Sequence, residues 1–109
     1  MFGRKKQVVQ ESYDSIPHGI SGFGNLVPIK FQNTHEAFAW GEDFVLAKRG
    51  ACWKLYNKYG VPFTESMHSI HLDGGGNLKC SVGAHREDYY LDDIVETNNG
   101  LINMIKALK

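Results

Sequence analysis

Charge of one sign, long apolar runs and abundant cysteine are what this chain lacks. Lys+Arg and Asp+Glu both number 12, so the net charge is zero with neutral histidines. A non-specific nucleic-acid binder usually carries a basic excess, and none is present. No apolar run is longer than four residues, as in Phe44 to Ala47. A membrane-spanning helix needs about 20 such residues. The basic Arg4-Lys5-Lys6 is followed by Gln7, two valines and Gln-Glu-Ser rather than an apolar stretch, so no signal peptide is expected. Two cysteines, Cys52 and Cys80, are too few for a disulfide scaffold and suit reduced thiols in the cytoplasm.

What is present fits one soluble α+β domain. A length of 109 residues with 42% hydrophobic content supports a single modest core. Residues 1–12 are mostly polar, with an apolar pair at Val8-Val9, and read as a tail, which leaves 13–109 as the domain. Gly-Arg-Lys-Lys at 3–6 is the densest positive run, and a nucleic-acid contact through this tail is one reading of it. Residues 13–25 are rich in glycine and form a loop or irregular hairpin, and Pro28 confines Leu26–Phe31 to an edge strand.

The spacing over 33–60 points to a helix. Asn33 and Glu36 make a capping-box-like start. Phe44, Lys48, Cys52, Leu55 and Tyr59 recur at helical intervals, and Gly60-Val61-Pro62 resembles a glycine-capped stop. The competing reading is a hairpin that turns at Arg49-Gly50. Downstream, Met67–Asp73 and Asn77–Ala84 flank three glycines and form a second hairpin. Leu91, Ile94, Val95, Leu101, Ile102, Ile105 and Leu108 then keep a helical period, interrupted by Asn98-Asn99-Gly100. Gly24-Asn25-Leu26 recurs as Gly76-Asn77-Leu78, which raises a pseudo-twofold ββα-ββα arrangement. The expected architecture is a small, mostly antiparallel sheet with helices on one face.

His68-Ser69-Ile70-His71-Leu72-Asp73-Gly74-Gly75-Gly76-Asn77-Leu78-Lys79-Cys80 is the stretch with most chemical potential. Residues three apart on a strand point to opposite faces, so His68 and His71 do not chelate together. Cys80 joins the apolar face with Ile70, Leu72 and Leu78, while Lys79, Ser81, Gly83 and His85 fall on the opposite face with His71 and Asp73. The glycines are not followed by a helix N-terminus, and no Lys-Ser or Lys-Thr pair closes a phosphate loop. His71, Asp73 and His85 remain as a polar cluster, with ligand chemistry for a divalent metal or a pH-sensitive patch. A solvated sheet face holds such residues equally well, so no metal or cofactor is assigned.

Two further sites follow from local sequence. Gly50-Ala51-Cys52-Trp53 resembles the Gly-Ser-Cys-Trp junction of papain-like cysteine proteases. That resemblance implies a nucleophilic Cys52 at a helix N-terminus, with His71 or His85 as its base. It covers four residues, and the family's second upstream cysteine and longer downstream chain are missing. Tyr89 and Tyr90, with Asp92 and Asp93, form an acidic-aromatic patch suited to self-association or to a basic protein partner. The composite expectation is a small non-enzymatic binding protein, acting through a protein partner or a small ligand held between sheet and helices. A cysteine-dependent hydrolase is the alternative.

Overall fold

The computed structural model describes residues 18–108. The tail at 1–12 and its basic run lie outside them. Eight strands and one helix follow in order: β1 (Ile20–Ser21), β2 (Val27–Pro28), β3 (Glu36–Trp40), β4 (Phe44–Arg49), β5 (Cys52–Asn57), β6 (Ser69–Leu72), β7 (Asn77–Val82), β8 (His85–Tyr90) and α1 (Leu91–Ala107). They form two four-stranded sheets, ordered β2-β3-β4-β5 and β1-β6-β7-β8. All neighbours are antiparallel except β1, which runs parallel to β6. The α+β class therefore holds. With one helix among the described residues, a ββα-ββα repeat is not formed, because the segment that would supply its first helix is strand.

That segment is the main correction to the helical reading of 33–60. Arg49 faces Cys52 across a two-residue loop, Gly50-Ala51. Gly50 has φ +64, the left-handed value that the first loop position of a primed hairpin turn requires. The apparent helix stop at Gly60 is another turn, closed by the Gly60 N–H on the Asn57 carbonyl at 3.0 Å. The helix-like spacing has a physical cause in β4, where Val45, Leu46 and Ala47 are buried one after another. Leu46 faces the main core, while Val45 and Ala47 join Ala37 under Ile29, Phe31 and Tyr56 on the other face. A strand covered on both faces loses the alternation by which strands are recognised.

The two sheets meet along β5. Beyond β4, the other edge of β5 is lined by residues 61–67, which run back alongside it. Phe63 donates to the Leu55 carbonyl at 2.7 Å, and the Thr64 hydroxyl accepts from Leu55 N–H at 3.0 Å. Between the Tyr56–Pro62 and Trp53–Met67 bridges the register slips by two residues. The Thr64 side chain supplies an acceptor where this bulge draws the backbone away. Trp53 and Met67 then exchange both N–H···O bonds, at 2.7 and 3.0 Å, before the chain enters β6.

Side chains from both sheets share one core of Phe38, Leu46, Trp53, Leu55, Met67, Ile70, Leu78 and Cys80. Ile20 and Phe23 close one end, and Ile94 of α1 closes another. Gly22 sits so close to β6 that a Cβ there would lie 2.0 Å from the Leu72 carbonyl oxygen.

One continuous α1 spans Asn98-Asn99-Gly100 without a break. Its start is held by Leu91 N–H donating to the Gly76 carbonyl at 2.9 Å, and Asp92 and Asp93 in the first turn suit the helix dipole. Asn98 is buried and accepts from Asn57 Nδ2 at 3.0 Å, while Asn57 Oδ1 accepts from the Tyr59 and Val61 N–H groups. Asn57 thus ties the β5 turn to the middle of α1. Past Asn98 the helix outruns the core, leaving Met104 and Leu108 exposed.

Asn98→Ala leaves Asn57 Nδ2 without its buried acceptor and is expected to cost about 1–3 kcal/mol. Asn57→Ala also strips two backbone N–H groups of their acceptor and is expected to cost more. Urea unfolding of both variants checks this order; equal losses would count against the bridging role of Asn57.

Candidate functional site

Register decides which sequence-selected residues meet. His71 stands opposite Lys79, and Lys79 stands opposite Asp88, forming one row on the outer face of β6, β7 and β8. Ser69, Ser81 and Arg86 form the next row. Leu78 and Cys80 point the other way, into the core. The Gly83-Ala84 turn pairs Val82 with His85, so His85 falls on the core-side face of β8 together with Glu87 and Tyr89. There its Nε2 lies 3.0 Å from Glu87 Oε2. His85 therefore does not join His71 and Asp73. Reading β7 and β8 as one alternating run had placed it with them; a two-residue turn restarts the alternation.

Each remaining member of that cluster has its own structural engagement. His71 Nδ1 shares a 2.8 Å hydrogen bond with Ser21 Oγ on the parallel strand β1. Asp73 Oδ1 accepts from the Gly75 and Asn77 N–H groups, both at 2.9 Å. It thereby closes the glycine loop as an Asx turn. Its Oδ2 lies 3.8 Å from Lys79 Nζ. The Asn77 N–H above all, with further help from Gly75, the Asn77 amide and Lys79, holds the Asp73 carboxyl below its ordinary value against burial. Among the described residues, no three His, Cys, Asp or Glu side chains converge as metal ligands.

Cys52 begins β5 on the face opposite Trp53 and is partly buried. A hairpin turn, not a helix N-terminus, precedes it, so the dipole that would activate a thiol is missing. It belongs to the first sheet, whereas His71 and His85 belong to the second. The other thiol, Cys80, is buried, and desolvation, reinforced by Asp88 and Glu87, pushes it up to about 11. Tyr89 packs on the core, and its hydroxyl accepts from Glu65 N–H at 3.3 Å. Tyr90 is exposed at the start of α1, as are Asp92 and Asp93. Of the four residues in that patch, only Tyr89 turns inward.

The outer face of β6–β8 carries a groove of about 340 Å³ lined by Ser69, Lys79, Cys80, Ser81, Arg86 and Asp88. Ser69 Oγ and Ser81 Oγ lie 2.7 Å apart, a hydroxyl pair along the groove. Strand alternation had put Lys79 and Ser81 on this face. Arg86 and Asp88 come to this face because the Gly83-Ala84 turn restarts the alternation at His85, a turn that the polar stretch His85-Arg86-Glu87-Asp88 does not announce.

The Asp73 carboxylate gives a test of the loop. Its folded pKa lies below the unfolded value of about 3.9, so its stabilisation is complete well above that value. It is lost as pH falls through the folded pKa. Asp73→Asn keeps the acceptor and removes the charge. Its urea midpoint is expected to fall below wild type at pH 7, and the gap to close as pH drops below about 4. A gap unchanged down to pH 2 would rule out the charge as its source. Against protein-family models, curated proteins and solved structures, the chain matches none.

Proposed function

We propose that this protein is a small non-enzymatic binding module that receives its ligand or partner on the outer face of β6, β7 and β8. The groove over the Ser69–Ser81 hydroxyl pair, between Lys79, Arg86 and Asp88, carries this reading. It gathers hydrogen-bond donors, acceptors and both signs of charge in one concavity, which is how small polar ligands are oriented. The space between sheet and helix is a weaker candidate, since Ile94 and Asn98 are packed into it. Paired strands also hold such groups at regular cross-strand spacing, which lowers the ordering cost of binding.

The cysteine-dependent hydrolase built on Cys52 with His71 or His85 gains no support from the hairpin around Cys52. Self-association or a protein partner at Tyr90, Asp92 and Asp93 remains compatible with the binding reading, as a second contact surface.

The reading is tested by a panel of small polar metabolites titrated into ¹⁵N-labelled protein. Amide shifts are expected to cluster at Ser69, Lys79, Ser81, Arg86 and Asp88. Shifts centred on Cys52, or none with any compound, would overturn it. In parallel, iodoacetamide is expected to modify Cys52 no faster than a cysteine in an unstructured peptide. A rate tenfold higher would favour the hydrolase.

A further inference from the structure

The geometry points to a specific ligand class for this groove: a small zwitterion, an oxyanion joined to an ammonium group. The inference rests on the binding reading above and adds the chemistry of the ligand.

One end of the groove suits an oxyanion. Arg86 stands directly across from Ser81 and has no salt-bridge partner among the described residues. Its planar guanidinium is the side chain best matched to a phosphate or carboxylate. The Ser69–Ser81 pair at 2.7 Å uses one O–H internally, since only one of the two oxygens can donate across it. The second O–H is left to point toward a ligand. A guanidinium and a hydroxyl donor on one face make a seat for an anion.

The other end suits a cation. Asp88 lies two residues along β8 from Arg86, on the same face and about 7 Å away. It too has no salt-bridge partner among the described residues. The nearest cation by register is Lys79, whose ammonium is drawn to Asp73 at 3.8 Å. A bare anion placed on Arg86 would feel the Asp88 carboxylate. A ligand that also carries an ammonium turns that repulsion into a second contact. Asp88 then acts as a selector against simple anions, which is specificity by an unfavourable contact with the wrong ligand.

O-phosphoethanolamine, inorganic phosphate and ethanolamine, titrated separately into ¹⁵N-labelled full-length protein, test this. Phosphoethanolamine is expected to bind at least tenfold more tightly than either half. Arg86→Gln should weaken both phosphoethanolamine and phosphate at least tenfold. Asp88→Asn should erase the preference, so that phosphate binds as well as phosphoethanolamine. Both side chains are exposed, and unchanged spectra in β2–β5 verify that the variants fold. Equal wild-type affinity for phosphate and phosphoethanolamine, or an Arg86→Gln protein that binds as wild type, would overturn the assignment.

If phosphoethanolamine shifts nothing while other compounds of the panel shift the same amides, the zwitterion fails and the binding face stands. The same headgroup can come from a membrane or from solution. Sedimentation with vesicles of phosphatidylethanolamine and phosphatidylcholine, against phosphatidylcholine alone, separates the two sources. Once free phosphoethanolamine binds as expected, selective sedimentation assigns a lipid headgroup and its absence a soluble ligand.

Discussion

Everything in this fold turns on the paired backbone hydrogen bonds between Trp53 and Met67. They are the point at which the edge of one sheet becomes the root of the other. They fix where the chain leaves the first sheet for β6, whose own start is then held by His68 N–H on the Ser81 carbonyl and Ile70 N–H on the Gly19 carbonyl. The side chain reinforces the junction. The Trp53 indole is almost wholly buried against Phe38, its Nε1 donates to the His18 carbonyl at 2.9 Å, and Lys48 lies over its ring. One residue thus binds the first sheet to β6 through its backbone and to the approach of β1 through its indole. Gly19 beside it has no room for a Cβ, which would lie 2.7 Å from the indole nitrogen.

The rest of the polar scaffolding orders what this junction begins. Thr64 satisfies β5 where the bulge leaves it, Asn57 links the next turn to Asn98, and Gly76 takes the first N–H of α1. Ile94 of α1 packs into the core shared with Leu78 and Cys80. The helix occupies the core side, and among the described residues the outer face of β6–β8 is uncovered, with its serines, arginine and carboxylate in cross-strand rows. That separation of a buried structural face from a polar face is the feature on which the proposed binding role rests.

How far the sequence could show this depended on local physics. The second hairpin was legible because one face of it is wet. Period-two alternation put Cys80 and Leu78 inside and Lys79 and Ser81 outside, and the glycine loop identified itself as a turn. The C-terminal helix was legible from its apolar period, although its asparagines looked like a break; Asn98 is instead the buried partner of Asn57, 41 residues away in the chain. The β4–β5 hairpin was hidden because residues 29–31 cover its outer face, so its apolar residues run consecutively and imitate a helix. His85 was misplaced by a turn of two residues. Arg86 and Asp88 could be seen only after that turn was known. In each miss, a long-range contact or a short turn overrode a local pattern.

Native-state amide hydrogen exchange tests the central role of the junction most directly. Both N–H groups of the Trp53–Met67 pair should exchange only through global unfolding, with opening free energies equal to that of the most protected amides of β4 and β7. Exchange of Trp53 or Met67 through a local opening well below the global value, with β6–β8 still protected, would show that the second sheet stands without the junction and would contradict the account.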